Sequence, residues 1–393
     1  MGPTSWLTAG QRALFAATGI VAVTAMAWGE TAPVHKPSLQ DFARPNVIPV
    51  PADNPGTPAQ VALGASLFVD TRLSRDGSMA CVTCHDPAKA FTEGASRGKG
   101  IAGETLKRNT PTLWDLAWAQ SFFWDGRART LEQQARGPIE HPLEMAIPLE
   151  KVVENLKSDA STLASFRAAY GDEGLSEATV LKALAAYERT LVSPKTRFDR
   201  WVEGDAQALT PFEIKGYELF IGRAGCSKCH ATWRFTDEGF HDIGLPEGAD
   251  RGRGEISGLA QMNNAFKTPT LRELVWTAPY MHDGSLGTLA AANDHYFGGI
   301  EVRPTNSKDL PVFTPVFTEN RLQILAFLKT LSSEEPPQPI SLPAEVKPVS
   351  AARPVATAEV SQRFQQFVRH GHEELAEQQR RGGGGDQRHG EAG

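Results

Sequence analysis

The chain is poor in cysteine, with 4 in 393 residues. A disulfide-stapled scaffold is thereby excluded. It also lacks a charge excess: 40 basic side chains stand against 46 acidic ones, for a formal net charge of −6. That balance leaves no electrostatic footprint for nucleic acid, which is not an expected partner. Past residue 27 no stretch approaches the roughly 20 apolar residues of a membrane helix, so no membrane span is expected in the mature chain. Alternating strand patterns are almost absent, which speaks against a large sheet. What is present is 40% apolar and 22% charged residues, enough for real cores, with 36 Gly and 27 Pro marking many connections.

At roughly 100–200 residues per domain, this length suggests two to three domains. Arg12 precedes an apolar run over 13–27 that ends in Ala25-Met26-Ala27. Residues 1–27 therefore read as an export signal, with an uncleaved anchor as the alternative. Residues 28–49 read as a linker. Six prolines between Pro336 and Pro354 read as a second, extended linker. Val360, Phe364, Phe367 and Val368 recur at helical spacing within 357–381, and Gly382 to Gly385 begin a flexible tail. The whole of 336–393 is read as a loosely attached appendage.

The middle of the chain carries helix signals. Thr210-Pro211-Phe212-Glu213 supplies an N-cap, a proline at the first helical position and an acid at the third. After Ser176, the residues Val180, Leu181, Leu184, Tyr187 and Leu191 make one apolar face, and Leu322, Leu325 and Leu328 do the same later. Residues 193–209 read as the connection between two halves. The expected class is all-α, with two cytochrome c-like helical domains at 50–195 and 206–335.

All four cysteines fall in two C-x-x-C-H motifs, Cys81-Val82-Thr83-Cys84-His85 and Cys226-Ser227-Lys228-Cys229-His230, which start 145 positions apart (226 − 81). Two thiols at this spacing form thioethers to the two vinyl groups of one haem, and the adjacent histidine then lies beneath the iron. The alternatives are a redox dithiol and a zinc site. Zinc needs four ligands gathered from both motifs, and a redox C-x-x-C seldom carries the trailing histidine. Two covalent c-type haems are expected, with His85 and His230 as iron ligands. The sixth position on each iron then separates an electron carrier, which fills both, from an enzyme, which leaves one open.

Several further motifs stand in order. They are Leu67-Phe68-Val69-Asp70 with Leu73-Ser74; Arg108-Asn109-Thr110-Pro111-Thr112; Phe123-Trp124-Asp125-Gly126-Arg127; Gly137-Pro138; and Pro142-Leu143-Glu144-Met145. Thr268-Pro269-Thr270-Leu271-Arg272 and Ala278-Pro279-Tyr280-Met281-His282-Asp283-Gly284 complete the series. Over about 45–335 the chain resembles the bacterial di-haem cytochrome c peroxidases and MauG-type enzymes. That resemblance implies two haem-bearing helical domains, a calcium ion between them and reaction with hydrogen peroxide. It also implies an exported, periplasmic enzyme, since c-type haem is attached there.

Two departures point to the MauG-type branch. No histidine lies between His85 and His141 to cap the first iron, which is therefore expected to be open at rest. Where the peroxidases have a methionine ligand on the second haem, this chain has Tyr296, with Met281 and His282 as rival donors. By resemblance, Glu144 is the distal acid that moves a proton during O–O cleavage, and Gln134 and Pro138 shape its pocket. Trp124 lies between the haems, and Asn109, Thr277 and Pro279 hold calcium. The expected activity is oxidation of an aromatic residue on a partner protein. The alternative is a peroxidase drawing electrons from a small cytochrome c or a cupredoxin. MauG-type enzymes use a tryptophan two positions before the second motif as an exit for electron hopping. Ala224 stands there, leaving Trp201, Trp233 and Trp276 as substitutes.

Overall fold

The computed structural model describes residues 37–310 and 318–336. The expected export signal at 1–27, and the tail beyond residue 336 with its helix at 357–381, lie outside the described residues. The helix Pro58–Phe68 starts on a capping box: the Thr57 hydroxyl accepts from the Gln60 amide and the Gln60 side chain answers at the Thr57 amide. The helix Pro211–Ile221 starts on the same device, built from Thr210 and Glu213 as expected. Each packs against a later helix, Glu177–Glu188 for the first and Thr318–Lys329 for the second. Both pairs meet at a glycine. A Cβ at Gly64 would overlap the Ala183 carbonyl, and one at Gly216 the Gln323 carbonyl. Only glycine admits backbones this close.

The described residues from Pro37 on form one unit, and its interior divides into two main clusters. One is drawn from 63–191 and includes Phe68, Phe91, Val180, Leu184 and Tyr187. The other is aromatic. Phe198 packs on Phe235 and Phe327 with ring centroids 5.3 and 5.5 Å apart, and Phe220 sits 5.1 Å from Phe327. Such edge-on contacts add to simple area burial.

Three expectations are corrected here. Phe42, from the expected linker, is fully buried in the second cluster. The expected connection at 193–209 contains the helix Arg197–Val202, whose Phe198 is at the centre of that cluster. Thr318–Lys329 buries Ile324, Phe327 and Leu328, while Leu322 is 52% exposed. Leu322 lies two residues from Ile324, about 200° around the helix, so the two cannot share a face. Among the described residues the sheet is a single antiparallel pair, Phe240–His241 with Phe266–Lys267, and the class is mainly helical.

A duplication runs through the molecule. Features of 110–138 recur at 268–296, shifted by 158 positions (268 − 110). Thr110-Pro111-Thr112 matches Thr268-Pro269-Thr270. Asp115 and Glu273 both take left-handed backbone, with φ of 62° and 59°, ahead of the tight turns Leu116–Trp118 and Leu274–Trp276. Their carboxylates do the same work: Asp115 accepts from the Ser193 amide and hydroxyl, Glu273 from those of Ser333. Thr130 and Thr288 cap the helices Leu131–Glu140 and Leu289–Asp294. The halves also meet reciprocally. The Asn109 amide donates to the His282 carbonyl at 2.7 Å, and the Lys267 amide donates to the Trp124 carbonyl at 2.8 Å. Equivalent residues thus exchange equivalent bonds, as across a two-fold axis.

The duplication breaks at Glu188. Tyr187 and Phe327 abut the two packing glycines, so Glu188 corresponds to Leu328. Glu188 is 5% exposed and its Oε2 has no hydrogen-bond partner. Burial pushes its carboxyl up to about 8, with the Arg189 guanidinium pulling the other way.

Gly64→Ala is expected to cost about 1–3 kcal/mol through overpacking, while Gly248→Ala, whose Cβ meets nothing within 4 Å, stays within about 0.5 kcal/mol; thermal melts decide. The unfolded chain releases the Glu188 proton near pH 4.3, whereas the fold holds it to about 8. Stability is therefore fully present below the lower value and falls as pH rises between the two, by up to about 1.4 kcal/mol per pH unit. Glu188→Gln should flatten that fall in denaturant titrations run across the window.

Candidate functional site

Burial pushes the Cys81 thiol up and takes those of Cys84 and Cys226 to about 12. Desolvation of this kind lowers the thiolate fraction and with it the reactivity of a free thiol. Cys81 packs on the first cluster and Cys226 on the second, so the motifs do not converge on one four-ligand site. The ligand-spaced group among the described residues is Cys229 with Asp237 and His241, and those last two are already bonded to each other at 2.8 Å.

Both motif histidines are oriented in the same way. His85 Nδ1–H donates to the Phe91 carbonyl at 2.9 Å, and His230 Nδ1–H to the Phe235 carbonyl at 2.7 Å. Phe91 and Phe235 are buried in left-handed backbone, with φ of 59° and 55°. Burial holds both imidazoles below the ordinary histidine range. Neutral rings bonded at Nδ1 keep the Nε2 lone pair for a metal. The Thr-Pro-Thr motifs clamp the loops that carry those carbonyls. Thr112 Oγ1 donates to the Ala90 carbonyl at 2.6 Å, and Thr270 Oγ1 to the Arg234 carbonyl at 2.8 Å. Arg272 adds Nε–H to the Trp233 carbonyl at 2.7 Å and an ion pair with buried Asp199 at 2.8 Å.

Cys226, Cys229 and His230 line a cavity of about 330 Å³ with Phe220, Ile324, Leu328 and Tyr296. An apolar chamber holding two thiols, a free imidazole nitrogen and a phenol has the donor set of a covalently attached haem. Tyr296 sits on a π-type turn, His295–Gly299, and burial raises its phenol above the ordinary range. A phenolate there needs a cation beside it. The rivals Met281 and His282 line the same cavity. His282 lies flat on the Phe266 ring at 3.5 Å, and burial lowers it to about 4.

Trp124 forms part of that cavity's wall. Its indole Nε1–H donates to the Asn109 carbonyl at 2.9 Å, and its own carbonyl accepts from Lys267, so each half grips it. The neighbouring Asp125 is buried and accepts from Arg108 at 2.6 Å and Arg127 at 2.8 Å. Asn109 is buried, with Nδ2 donating to the Ala95 carbonyl at 2.8 Å, which leaves Oδ1 as an acceptor. Its amide bond to His282 brings it to the stretch that holds Thr277 and Pro279.

Glu144 sits on a loop pinned from three sides: Ile101 donates to the Leu143 and Glu144 carbonyls, Arg75 to that of Met145, and Met145 to that of Pro138. Gly100 permits this approach, since a Cβ there would overlap the Leu143 carbonyl. Burial raises the Glu144 carboxyl, while His141, at 3.5 Å, and Arg127 act against the shift. Its charge reaches Cys84, so the fold joins Glu144 to the first motif across 60 positions (144 − 84). Glu93 reaches Cys84 as well and escaped the sequence reading, as did Glu188, whose charge reaches Cys81. Neither belongs to a motif; only burial marks them. Gln134 and Pro138 share the helix Leu131–Glu140, and Pro138 is the equivalent of Tyr296 (296 − 138 = 158).

Residues 58–207 match the family model described as di-haem cytochrome c peroxidase. The chain is 48% identical over 305 residues to the methylamine utilization protein MauG of Methylorubrum extorquens, covering 77% of this chain and 86% of that one. It is 42% identical to the MauG protein of Methylophilus methylotrophus, covering 75% and 89%. Among solved structures, it superposes on a MauG-like protein associated with microbial copper homeostasis with a TM-score of 0.69 at 31% identity, covering 74% of this chain and 95% of that one. The duplicated histidine supports and the cavity beside the second motif thus have a family to explain them: the chain belongs to the di-haem cytochrome c peroxidase and MauG family of haem-dependent oxidoreductases.

Proposed function

We propose that this chain is an exported, periplasmic MauG-type oxidoreductase. It takes oxidising equivalents from hydrogen peroxide at a haem on Cys81 and Cys84, and stores or relays them with a second haem on Cys226 and Cys229. It delivers them to an aromatic side chain of a partner protein. The observation that carries this reading is the difference at one position of a duplicated fold, Pro138 in the first half and Tyr296 in the second. Proline offers no donor atom to iron, whereas tyrosine is a haem ligand type. His85 Nε2 would then be the sole protein ligand of one iron, and His230 Nε2 and the Tyr296 phenolate would hold the other. Bound haem supplies the reaction with peroxide and the capacity to hold its oxidising equivalents.

The chain's own residues do the rest. Glu144, as carboxylate, takes the proton from the inner peroxide oxygen and returns it to the outer one, which leaves as water. Gln134 and Pro138 bound the space in which peroxide sits. Trp124, fixed by one hydrogen bond from each half, is the side chain through which an electron passes between the two sites. Asn109 Oδ1 and the carbonyls of Thr277 and Pro279 would supply neutral oxygen ligands of the kind calcium takes. Of the candidate exits, Trp201 is committed to the aromatic core, 5.1 Å from Tyr217. Trp233 packs edge-on against Trp118 at 4.9 Å beneath the Arg44 and Arg272 cations, which oppose a positive charge on its ring. Trp276 is bonded to the Ser333 carbonyl at 3.3 Å.

A second reading, a peroxidase fed by a small cytochrome c or cupredoxin, is favoured by Met281 in the second cavity. A second-haem potential in the high range of His/Met ligation, retained in Tyr296→Phe, would select it.

The resting protein should give an EPR spectrum with one high-spin and one low-spin ferric haem; two low-spin signals would sink the proposal. Glu144→Gln should slow the reaction with peroxide by about 10²–10⁴-fold and leave that spectrum unchanged. In the parent, the rate should fall with decreasing pH through a value above the ordinary glutamate pKa of about 4.3, because the carboxylate is the active form. An unimpaired Gln variant removes Glu144 from the mechanism.

A further inference from the structure

We infer that His295 is the positioning residue that presents Tyr296 to the second haem, by tethering the π-type turn to the wall of the same cavity. The inference rests on the reading of Tyr296 as an iron ligand.

In the first half, Leu131–Glu140 runs as one helix through Pro138. In the second half the helix stops at Asp294, and Tyr296 is carried on the turn His295–Gly299. A π-type turn re-aims the side chains on it and gives up regular helical bonding, so it needs support from outside. His295 provides that support. It is 7% exposed, and its Nε2–H donates to the Ile243 carbonyl at 2.9 Å. Its ring stands edge-on to that of Tyr296, with centroids 5.3 Å apart at 78°. Gly299 closes behind it, since a Cβ there would lie 3.0 Å from His295 Nδ1. A second tether follows the turn: the Glu301 amide donates to the Gly244 carbonyl at 2.8 Å, and Arg303 grips buried Asp242 with Nε–H at 2.8 Å and Nη2–H at 2.6 Å. Asp242, Ile243 and Tyr296 line one cavity, so both ends of the turn are fastened to residues that border the cavity Tyr296 lines.

The duplication sharpens the point. The equivalent of His295 is Gly137 (295 − 158), which has no side chain with which to tether anything. The device exists only in the half that carries a donor residue at the ligand position.

The test uses the two-haem holoprotein and three variants, read by resting EPR and by the potential of the second haem. His295→Leu removes the donor. It should shift the balance of bound to unbound phenolate by about five-fold, the worth of one net hydrogen bond, and appear as a new high-spin fraction with a raised potential. His295→Gln, whose amide reaches the same carbonyl, should restore the parent spectrum. If the Leu variant does not accumulate with both haems, His295→Asn, whose amide is too short to reach, takes its place. A Leu or Asn variant with the full low-spin signal and unchanged potential overturns the inference, and so does a Gln variant that fails to restore. Tyr296→Phe separates the two claims. If it too leaves the second haem low-spin, the ligand reading fails and this inference with it. If it loses that signal while His295→Leu keeps it, only the role of His295 falls.

Discussion

The structure depends on a bond made twice, from the Nδ1–H of a motif histidine to the carbonyl of a buried phenylalanine in left-handed backbone. It fixes the tautomer and the direction of each imidazole, and so the direction in which each Nε2 lone pair is offered. Left-handed backbone at a phenylalanine is unfavourable unless the surroundings impose it. Here the Thr-Pro-Thr segments impose it, each through a threonine hydroxyl bonded to the residue just before the phenylalanine. The buried Arg272–Asp199 pair reinforces the second clamp. The motifs downstream of each C-x-x-C-H are thus the far walls of the histidine sockets.

The same devices in both halves make the differences informative. Each half has a helix pair closed at a glycine, an acid that caps a serine, and a reciprocal bond to its counterpart. Against that background three substitutions stand out: Pro138 for Tyr296, Gly137 for His295 and Glu188 for Leu328. Tyr296 and Leu328 line the cavity beside the second motif, and the charge of Glu188 reaches Cys81 of the first. A duplicated scaffold keeps the two centres at a set relation through their shared contacts, while a handful of side chains make them unlike. Trp124 is a fourth case, since its counterpart His282 stacks on Phe266 while Trp124 is bonded to both halves.

Electrostatics follow burial in both halves. Cys84, Cys226, Tyr296, Glu144 and Glu188 are all driven toward their neutral forms by loss of water. Tyr296 is the most telling, because a phenol so raised ionises only beside a cation. Where charge is kept, it is paired, as in Arg108 between Asp125 and Asp250. That pairing lies at the junction of the halves, beside Trp124, and holds the junction in one arrangement.

The sequence by itself determined the family and the helical class. Two C-x-x-C-H motifs that use every cysteine are local signals, and so are the caps at Thr57 and Thr210, because thioether spacing and capping each need only a few consecutive residues. Motif order alone singled out Glu144, Trp124 and Tyr296 as candidates, and nothing local states that the charge of Glu144 reaches Cys84 or that Tyr296 and His230 line one cavity. Phe42 and Phe198 were misread as parts of connections because burial is a property of what surrounds a residue, and their partners lie far along the chain. Leu322 was misread because the burial of a helix face is set by the partner helix, here through Gly216. Tertiary structure alone decided which carbonyls orient the histidines, which acids are stripped of water, and that Pro138 continues a helix where its counterpart Tyr296 sits on a π-type turn. Those are facts of juxtaposition, which depend on the packing of helices separated by more than a hundred residues.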